Sequence, residues 1–470
     1  MTTECSGKLI EFHPLGQREV RANFNGGTIA SDGGGLLLRE VEKRAGIIER
    51  FAGCFRDHRD PERIEHTVKE LVAQRVYGLA LGYEDLNDHD ELRRDPLLAV
   101  LAEKKDPTGA RRVRERDQDK ALAGKSTLNR VELTAAEVKE KERYKKVVID
   151  AERVDHLMVE VFLESFTGAP AEIVLDLDAT DDPLYGKQEG RFFHGYYGDY
   201  CYLPLYIFCG DALLCARLRS SNIDASAGCV EELERIVKQI RGAWPEVQIT
   251  IRGDSGFCRE ELMKWCEDHG VDYVLGLAKN ERLKRMIAVE LEESAREYAE
   301  TGKAARRFKE FDYQTRESWS WARRVVGKAE QLEKGSNPRF VVTSLSAERW
   351  EARRLYEELY CARGEMENRI KEQLMLFADR TSTAYLRSNQ IRLYFSSVAY
   401  LLMEALRRLG LRGTELAAAQ ATTIRLKVLK IGALIRVTVR KVWVALAGGY
   451  PYGELWATIL RQLQPIPVRG

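Results

Sequence analysis

The sequence predicts an α/β protein of the α+β kind, with a mixed central sheet and helical regions before and after it. Three observations predict this. Residues 171–280 read as strand, strand, strand, helix, strand, helix, strand, and a meander followed by alternating helix and strand builds a mixed, five-stranded sheet. Apolar residues recur at helical spacing on both sides of that stretch. Between 300 and 346, aromatic and basic residues alternate as in a small β insertion.

The elements follow in chain order. In "SDGGGLLLREVEKRAGI" the glycines Gly33–Gly35 mark a turn before a helix, and no Lys-Ser/Thr follows to make a phosphate-cradling loop. Residues 62–82 carry Ile64, Val68, Leu71, Val72, Val76 and Leu79 at helical spacing. "DPTGARRVRERDQDK" (106–120) is a polar, Arg-rich loop compatible with DNA contact. A charged helix is expected over 134–166. The sheet begins with "EIVLDLD" and continues with "YCYLPLYIFC" and "DALLCARLR". Gly210-Asp211 forms the tight turn between the last two. "SAGCVEELERIVKQIRGAW" is an amphipathic helix. "VQITIRGDSGF", "REELMKWCEDHG" and "VDYVLGLAK" are strand, helix and strand. A long helix is expected from about 347 to 377, and a mostly helical tail after it.

Composition narrows the class. The 470 residues are 44% hydrophobic and 31% charged, as in a globular rather than a disordered chain. The net charge of +1 hides a polarised molecule. From residue 381 onward thirteen Lys and Arg stand against three Glu, so the rest is acidic. Nine cysteines show no CxxC spacing and seven histidines no ligand cluster, which argues for free thiols in a reducing compartment and against zinc. The N-terminus lacks a signal pattern and no apolar run reaches 18 residues. No membrane contact and a cytoplasmic location are therefore expected.

The carboxylates are the chemical feature. In a strand, residues two apart share a face, so Asp176 and Asp178 point away from Ile173, Leu175 and Leu177. Asp178 and Asp254 each end an apolar strand. Parallel neighbours would bring them to a common point, where a divalent cation with oxygen ligands would relieve their repulsion. The plainer alternative is a pair of solvated turn residues. In "LYCARGEMENRIKEQ", Tyr360, Arg363, Glu367 and Lys371 form one helical stripe. That stripe suits either an exposed face of i, i+4 pairs or a carboxylate ligand flanked by phosphate-gripping cations.

These residues carry a resemblance. The chain resembles the DDE transposases of bacterial insertion sequences, whose RNase H-like core holds an Asp-Asp-Glu triad. "DLDATDDPLYG" is similar to the family's first-Asp motif and points to Asp178. "IRGDSGF" is similar to the second and points to Asp254. "YCARGEME" matches a Tyr-x-x-Arg-x-x-x-Glu signature at Tyr360, Arg363 and Glu367. The family's Lys lies six or seven residues after the Glu. Here Leu374 stands at that place and the nearest cation is Lys371. "SDGGGLLLREV", "YGLALGYEDLNDHDELRRDP" and "LAGKSTLNRVE" look like the thirteen-eighty branch of these elements.

The resemblance implies four regions: 1–165, mainly helical and DNA-binding; 166–299 with 347–380, the catalytic core; 300–346, a β insertion; and 381–470, basic and helical, for DNA contact and dimerisation. It implies two Mg²⁺ ions, replaceable by Mn²⁺, on Asp178, Asp254 and Glu367. They would serve strand cleavage at terminal inverted repeats and joining of the 3′-hydroxyl to target DNA, within a homodimer. Tyr360, Arg363 and Lys371 become DNA contacts. Some relatives stack an inserted Trp on a flipped base, which points to Trp319 or Trp321, although aromatics in a small sheet are commonly its core. Two rivals stand beside this reading. "GDSGF" is similar to a serine-protease nucleophile segment, with Ser255 attacking, but that chemistry sits on a two-barrel β fold. A DNA-binding relative without catalytic activity would keep the motifs without turnover.

Overall fold

The computed structural model describes residues 9–464 of the chain. The described residues divide into two units: Ile149–Ser397, and the segments on either side of it.

In the unit Ile149–Ser397 the sheet begins where the apolar alternation predicts. Strand β1 (Glu172–Ala179) buries Ile173, Leu175 and Leu177. β2 (Leu205–Cys209) and β3 (Ala212–Arg217) form the expected hairpin, antiparallel through Gly210-Asp211. β4 (Gln248–Gly253) and β5 (Asp272–Leu277) run parallel to β1. The order β3-β2-β1-β4-β5 forms a five-stranded mixed core. One face of β1 packs on α1 (Ala151–Leu163) and α2 (Cys229–Ala243) in a single hydrophobic cluster. Helix α2 presents Leu233, Ile236, Val237 and Ile240 to it, the i, i+3, i+4, i+7 spacing of an amphipathic helix. The opposite face carries Asp176 and Asp178.

The sheet does not stop at five strands. After helices Glu281–Met286 and Ala288–Thr301, β6 (Ala305–Tyr313), β7 (Arg323–Leu332), β8 (Gly335–Ser336) and β9 (Arg339–Thr343) follow. β9 pairs antiparallel with β5, Val274 opposite Thr343, and β7 and β6 continue outward. The expected insertion is therefore an extension of the central sheet, which reaches nine strands. An uncovered β5 edge would leave a row of unpaired backbone groups, and β9 satisfies them.

Other expectations are corrected in detail. "YCYLPLYIFC" is two strands. Asp199–Tyr202 belongs to a small sheet with Asp182–Pro183 and Phe192–His194. Pro204, which has no N–H to donate, breaks it from β2. The charged helix expected over 134–166 is helical only at Ala151–Leu163, because 135–146 offers no apolar face. The single helix expected over 347–377 is a helical path of several pitches. Ala352–Arg354 is followed by a π turn at Leu355–Tyr360, a 3₁₀ turn at Cys361–Arg363, and an α-helix at Gly364–Met375.

In the other unit, the helix expected over 62–82 occupies Val68–Leu81, closed at its start by a Thr67–Glu70 capping box. Gly33–Gly35 is a 3₁₀ turn before helix Leu36–Ala45, and the Gly33 N–H donates to the Ile431 carbonyl at 2.8 Å. The flanks are not wholly helical. Ile10–Leu15 and Arg18–Ala22 pair as a hairpin. The basic tail segment, expected as a helix, contains strands Ala433–Val437 and Val442–Leu446, which add to Thr28–Ala30. In the first of them buried Ala433 and Ile435 alternate with exposed Leu434 and Arg436, a period of two rather than 3.6. The eight described cysteines form no disulfide. Among the described residues no helix is long and apolar enough to cross a membrane.

Candidate functional site

Parallel pairing of β1 and β4 sets Leu177 opposite Gly253. The next residue on each strand is Asp178 and Asp254, so the two carboxylates leave the sheet side by side at one strand end. Asp254 also caps the 3₁₀ turn Ser255–Phe257, its Oδ1 accepting from the Gly256 N–H at 2.8 Å. The segment similar to a protease nucleophile is thus a strand-to-turn corner.

The helical path arriving after β9 brings the third motif to the same place. Arg363 joins two of the carboxylates: its Nη1 lies 3.7 Å from Asp178 Oδ2 and its Nη2 3.3 Å from Glu367 Oε1. Tyr360 is half-buried. A side chain on Gly276 would strike its hydroxyl at 2.6 Å and the Ser255 backbone at 2.9 Å, so Gly276 makes the room in which Tyr360 reaches the end of β4. Burial lifts the Asp178 pKa to about 6. Arg363 opposes that rise, while the charges of Asp254 and Glu367 add to it. Burial also raises the pKa of Tyr360. The three acids and the arginine therefore act on one another electrically.

Lys371 is exposed, one turn beyond Glu367 on the helix Gly364–Met375. The two tryptophans part company. Trp319 is 6% exposed and belongs to the main core cluster, edge-on to Tyr313 at 5.7 Å. Trp321 is 42% exposed, with the Arg323 guanidinium 4.6 Å from its ring centre.

Beneath the site lies an ion pair that the motif reading left without a partner. Asp176 accepts both forks of Arg252, whose Nη2 is 2.7 Å from Oδ2. The same guanidinium donates to the Leu359 carbonyl in the π turn just before Tyr360. The signal was present in the sequence. An Arg within an apolar strand, two residues before Asp254, mirrors an Asp two residues before Asp178, and buried charges need partners.

The donor set of Asp178, Asp254 and Glu367, all hard carboxylate oxygens, suits a divalent cation by its chemistry. The positions are looser than the chemistry. Among the described residues no group of three His, Cys, Asp or Glu closes around one point, and Arg363 stands between Asp178 and Glu367.

Comparison with known proteins adds the rest. No curated protein sequence matches the chain. Among solved structures, a piggyBac transposase synaptic complex with hairpin DNA aligns at TM-score 0.42 and 10% identity. The alignment covers 94% of this chain and 83% of that one, a likeness too distant to carry residue correspondences. A family model described as transposase DDE domain group 1 matches residues 12–468, which include both aspartates and the Tyr-Arg-Glu helix. With nearly its whole length inside that match, the chain belongs to the transposase DDE domain group 1 family.

Proposed function

We propose that this chain is the transposase of a bacterial insertion sequence, of the thirteen-eighty branch. In this reading it binds the terminal inverted repeats, cuts DNA at the element's ends and joins the freed 3′-hydroxyl to target DNA. The observation that carries the reading is the meeting of Asp178, Asp254 and the Arg363–Glu367 pair at one end of the sheet, in a chain of a DDE family.

Asp178, Asp254 and Glu367 would hold a pair of Mg²⁺ ions, or Mn²⁺, which supply a polarised nucleophile and charge neutralisation for in-line phosphoryl displacement. The chain's own groups do the positioning. Arg363 is a fork-shaped donor that can hold a phosphate oxygen or restrain a carboxylate. Tyr360 borders the Asp254 corner. Lys371 offers a phosphate contact and Trp321 a stacking face for an unpaired base. Buried Trp319 would serve as scaffold. Two element ends must be held together before transfer, which calls for a homodimer. The N-terminal region would read the repeats, and the basic tail would add backbone contact and dimer contact.

A second reading keeps DNA binding and drops turnover, and the Arg363 guanidinium between Asp178 and Glu367 favours it. One experiment separates the two. The purified protein is incubated with Mg²⁺ and a duplex carrying the element's own inverted repeats, and the cuts are mapped. Cutting at the repeat ends, abolished by Asp178→Ala, Asp254→Ala or Glu367→Ala with duplex binding retained, supports the transposase. Binding without cutting supports the inactive relative.

A further inference from the structure

A cavity of about 240 Å³ in the unit that contains the N-terminal helices is walled by Arg93, Arg112, Arg114, Arg116, Lys120 and Arg130. Its two lining carboxylates are already engaged: Glu65 with Arg112 at 3.1 Å, and Asp117 with Arg116 at 3.7 Å. Six cations against two anions leave a positive excess in a concave site, and such a cleft draws in an anion. His66 in the same wall is buried and accepts from Arg112 Nη1 at 3.3 Å. Burial, with Lys104 and Arg112 adding, pushes its pKa down to about 3, so it contributes no cation of its own.

The loop that carries three of these arginines looks irregular in sequence, yet it is tied at each turn. Asp106 accepts from the N–H groups of Thr108, Gly109 and Arg111, at 3.2, 3.2 and 2.8 Å, and from the Thr108 hydroxyl at 2.8 Å. The Gly109 carbonyl accepts from the N–H groups of Arg112 and Asp119, at 3.2 and 3.3 Å. Gly109 has φ +71°, and a side chain there would lie 2.7 Å from the Lys120 and Ala121 backbone. The loop is pre-shaped, so little ordering entropy remains to be lost on binding. Guanidinium forks match the paired oxygens of an anionic phosphate, which a neutral ligand cannot offer with charge.

We propose that this cavity is a phosphate-binding site that grips a backbone phosphodiester of duplex DNA. This rests on the transposase reading for its ligand, and on the cation wall for its chemistry. The test uses the full chain and the double variant Arg114→Gln, Arg116→Gln. Both side chains are largely exposed, so the fold is retained, and matching thermal midpoints check this. Duplex binding is followed by fluorescence anisotropy between 50 and 200 mM salt. One lost phosphate contact should flatten the slope of log K against log salt by about 0.9 and weaken binding several-fold. An unchanged slope and affinity overturn the proposal. Inorganic phosphate and pyrophosphate form the second arm, read as thermal stabilisation. Stabilisation of the wild type that the variant loses supports an anion site. If it comes with an unchanged duplex slope, the site takes free phosphate and the DNA assignment falls. If the wild type binds no duplex at all, the transposase reading fails, and the phosphate arm alone decides the cavity: loss in the variant upholds an anion site, and no effect removes it. Should the double variant not fold, Lys120→Gln takes its place.

Discussion

Arg252 and Asp176 form a buried bidentate ion pair one strand step beneath Asp254 and Asp178, and Arg252 also holds the Leu359 carbonyl. One guanidinium thus ties β1, β4 and the helical path that ends in Tyr360, Arg363 and Glu367. Removing one partner leaves the other charged and buried. Asp176→Ala is expected to destabilise by about 3–5 kcal/mol, read by chemical denaturation. The double change Asp176→Leu, Arg252→Met should cost less than either single change. A larger cost for the double variant would mean that shape rather than charge pairing matters there.

Arg363 reaches two carboxylates because its fork has two arms, which a lysine lacks. Arg363→Lys should change stability by under about 1 kcal/mol, as partly exposed pairs contribute little. Initial rates of strand cleavage should fall at least tenfold. Wild-type rates would show that the double contact is incidental.

The two tryptophans should separate folding from binding. Trp319→Ala opens a core cavity and is expected to cost about 3–5 kcal/mol. Trp321→Ala should leave the melting curve in place. It should also weaken binding of an end-containing duplex with unpaired bases by about 1–3 kcal/mol, the range for one stacked base. If Trp321→Ala binds as the wild type does, this surface aromatic does not stack.

His89 is fully buried and its Nδ1 accepts from the Gln74 side-chain amide at 3.0 Å, which puts the ring proton on Nε2. Burial holds its pKa down at about 3 against an ordinary 6.5, with Arg75 adding to the depression. The unfolded chain takes up this proton below about pH 6.5 and the folded one only near 3. Stability should therefore be complete above 6.5 and be lost as pH falls through that window. His89→Gln should flatten the acid limb of a stability-against-pH curve. An unchanged limb would assign the acid loss to other groups.

Much of the architecture of the unit Ile149–Ser397 was legible in the sequence. Short apolar runs bounded by polar residues located the five strands of the central core, because β2 to β5 are buried almost throughout and only β1 alternates. The Gly210-Asp211 turn was legible for a similar local reason. What escaped were pairings. Nothing in "RFVVTSL" says that it adds to the free edge of β5 rather than forming a sheet of its own. The alternation of 433–436 lies within a basic run whose charges obscure the period. Trp319 and Trp321 have the same residue type two positions apart, yet one is core and the other surface, because the loop between β6 and β7 turns between them.

Residue type and strand period by themselves determined which side chains could do chemistry: two aspartates at strand ends and a Tyr-Arg-Glu stripe on a helix, each dictated by backbone geometry within a few residues. Tertiary structure alone decided their company. It set Asp178 beside Asp254 through strand pairing across 76 residues. It brought Arg363 to Asp178, and it closed one cavity from Arg93, Arg130 and the loop that carries Arg112, Arg114, Arg116 and Lys120. Those are contacts between segments distant in the chain, selected by packing and charge balance over the whole fold, and no local periodicity encodes them.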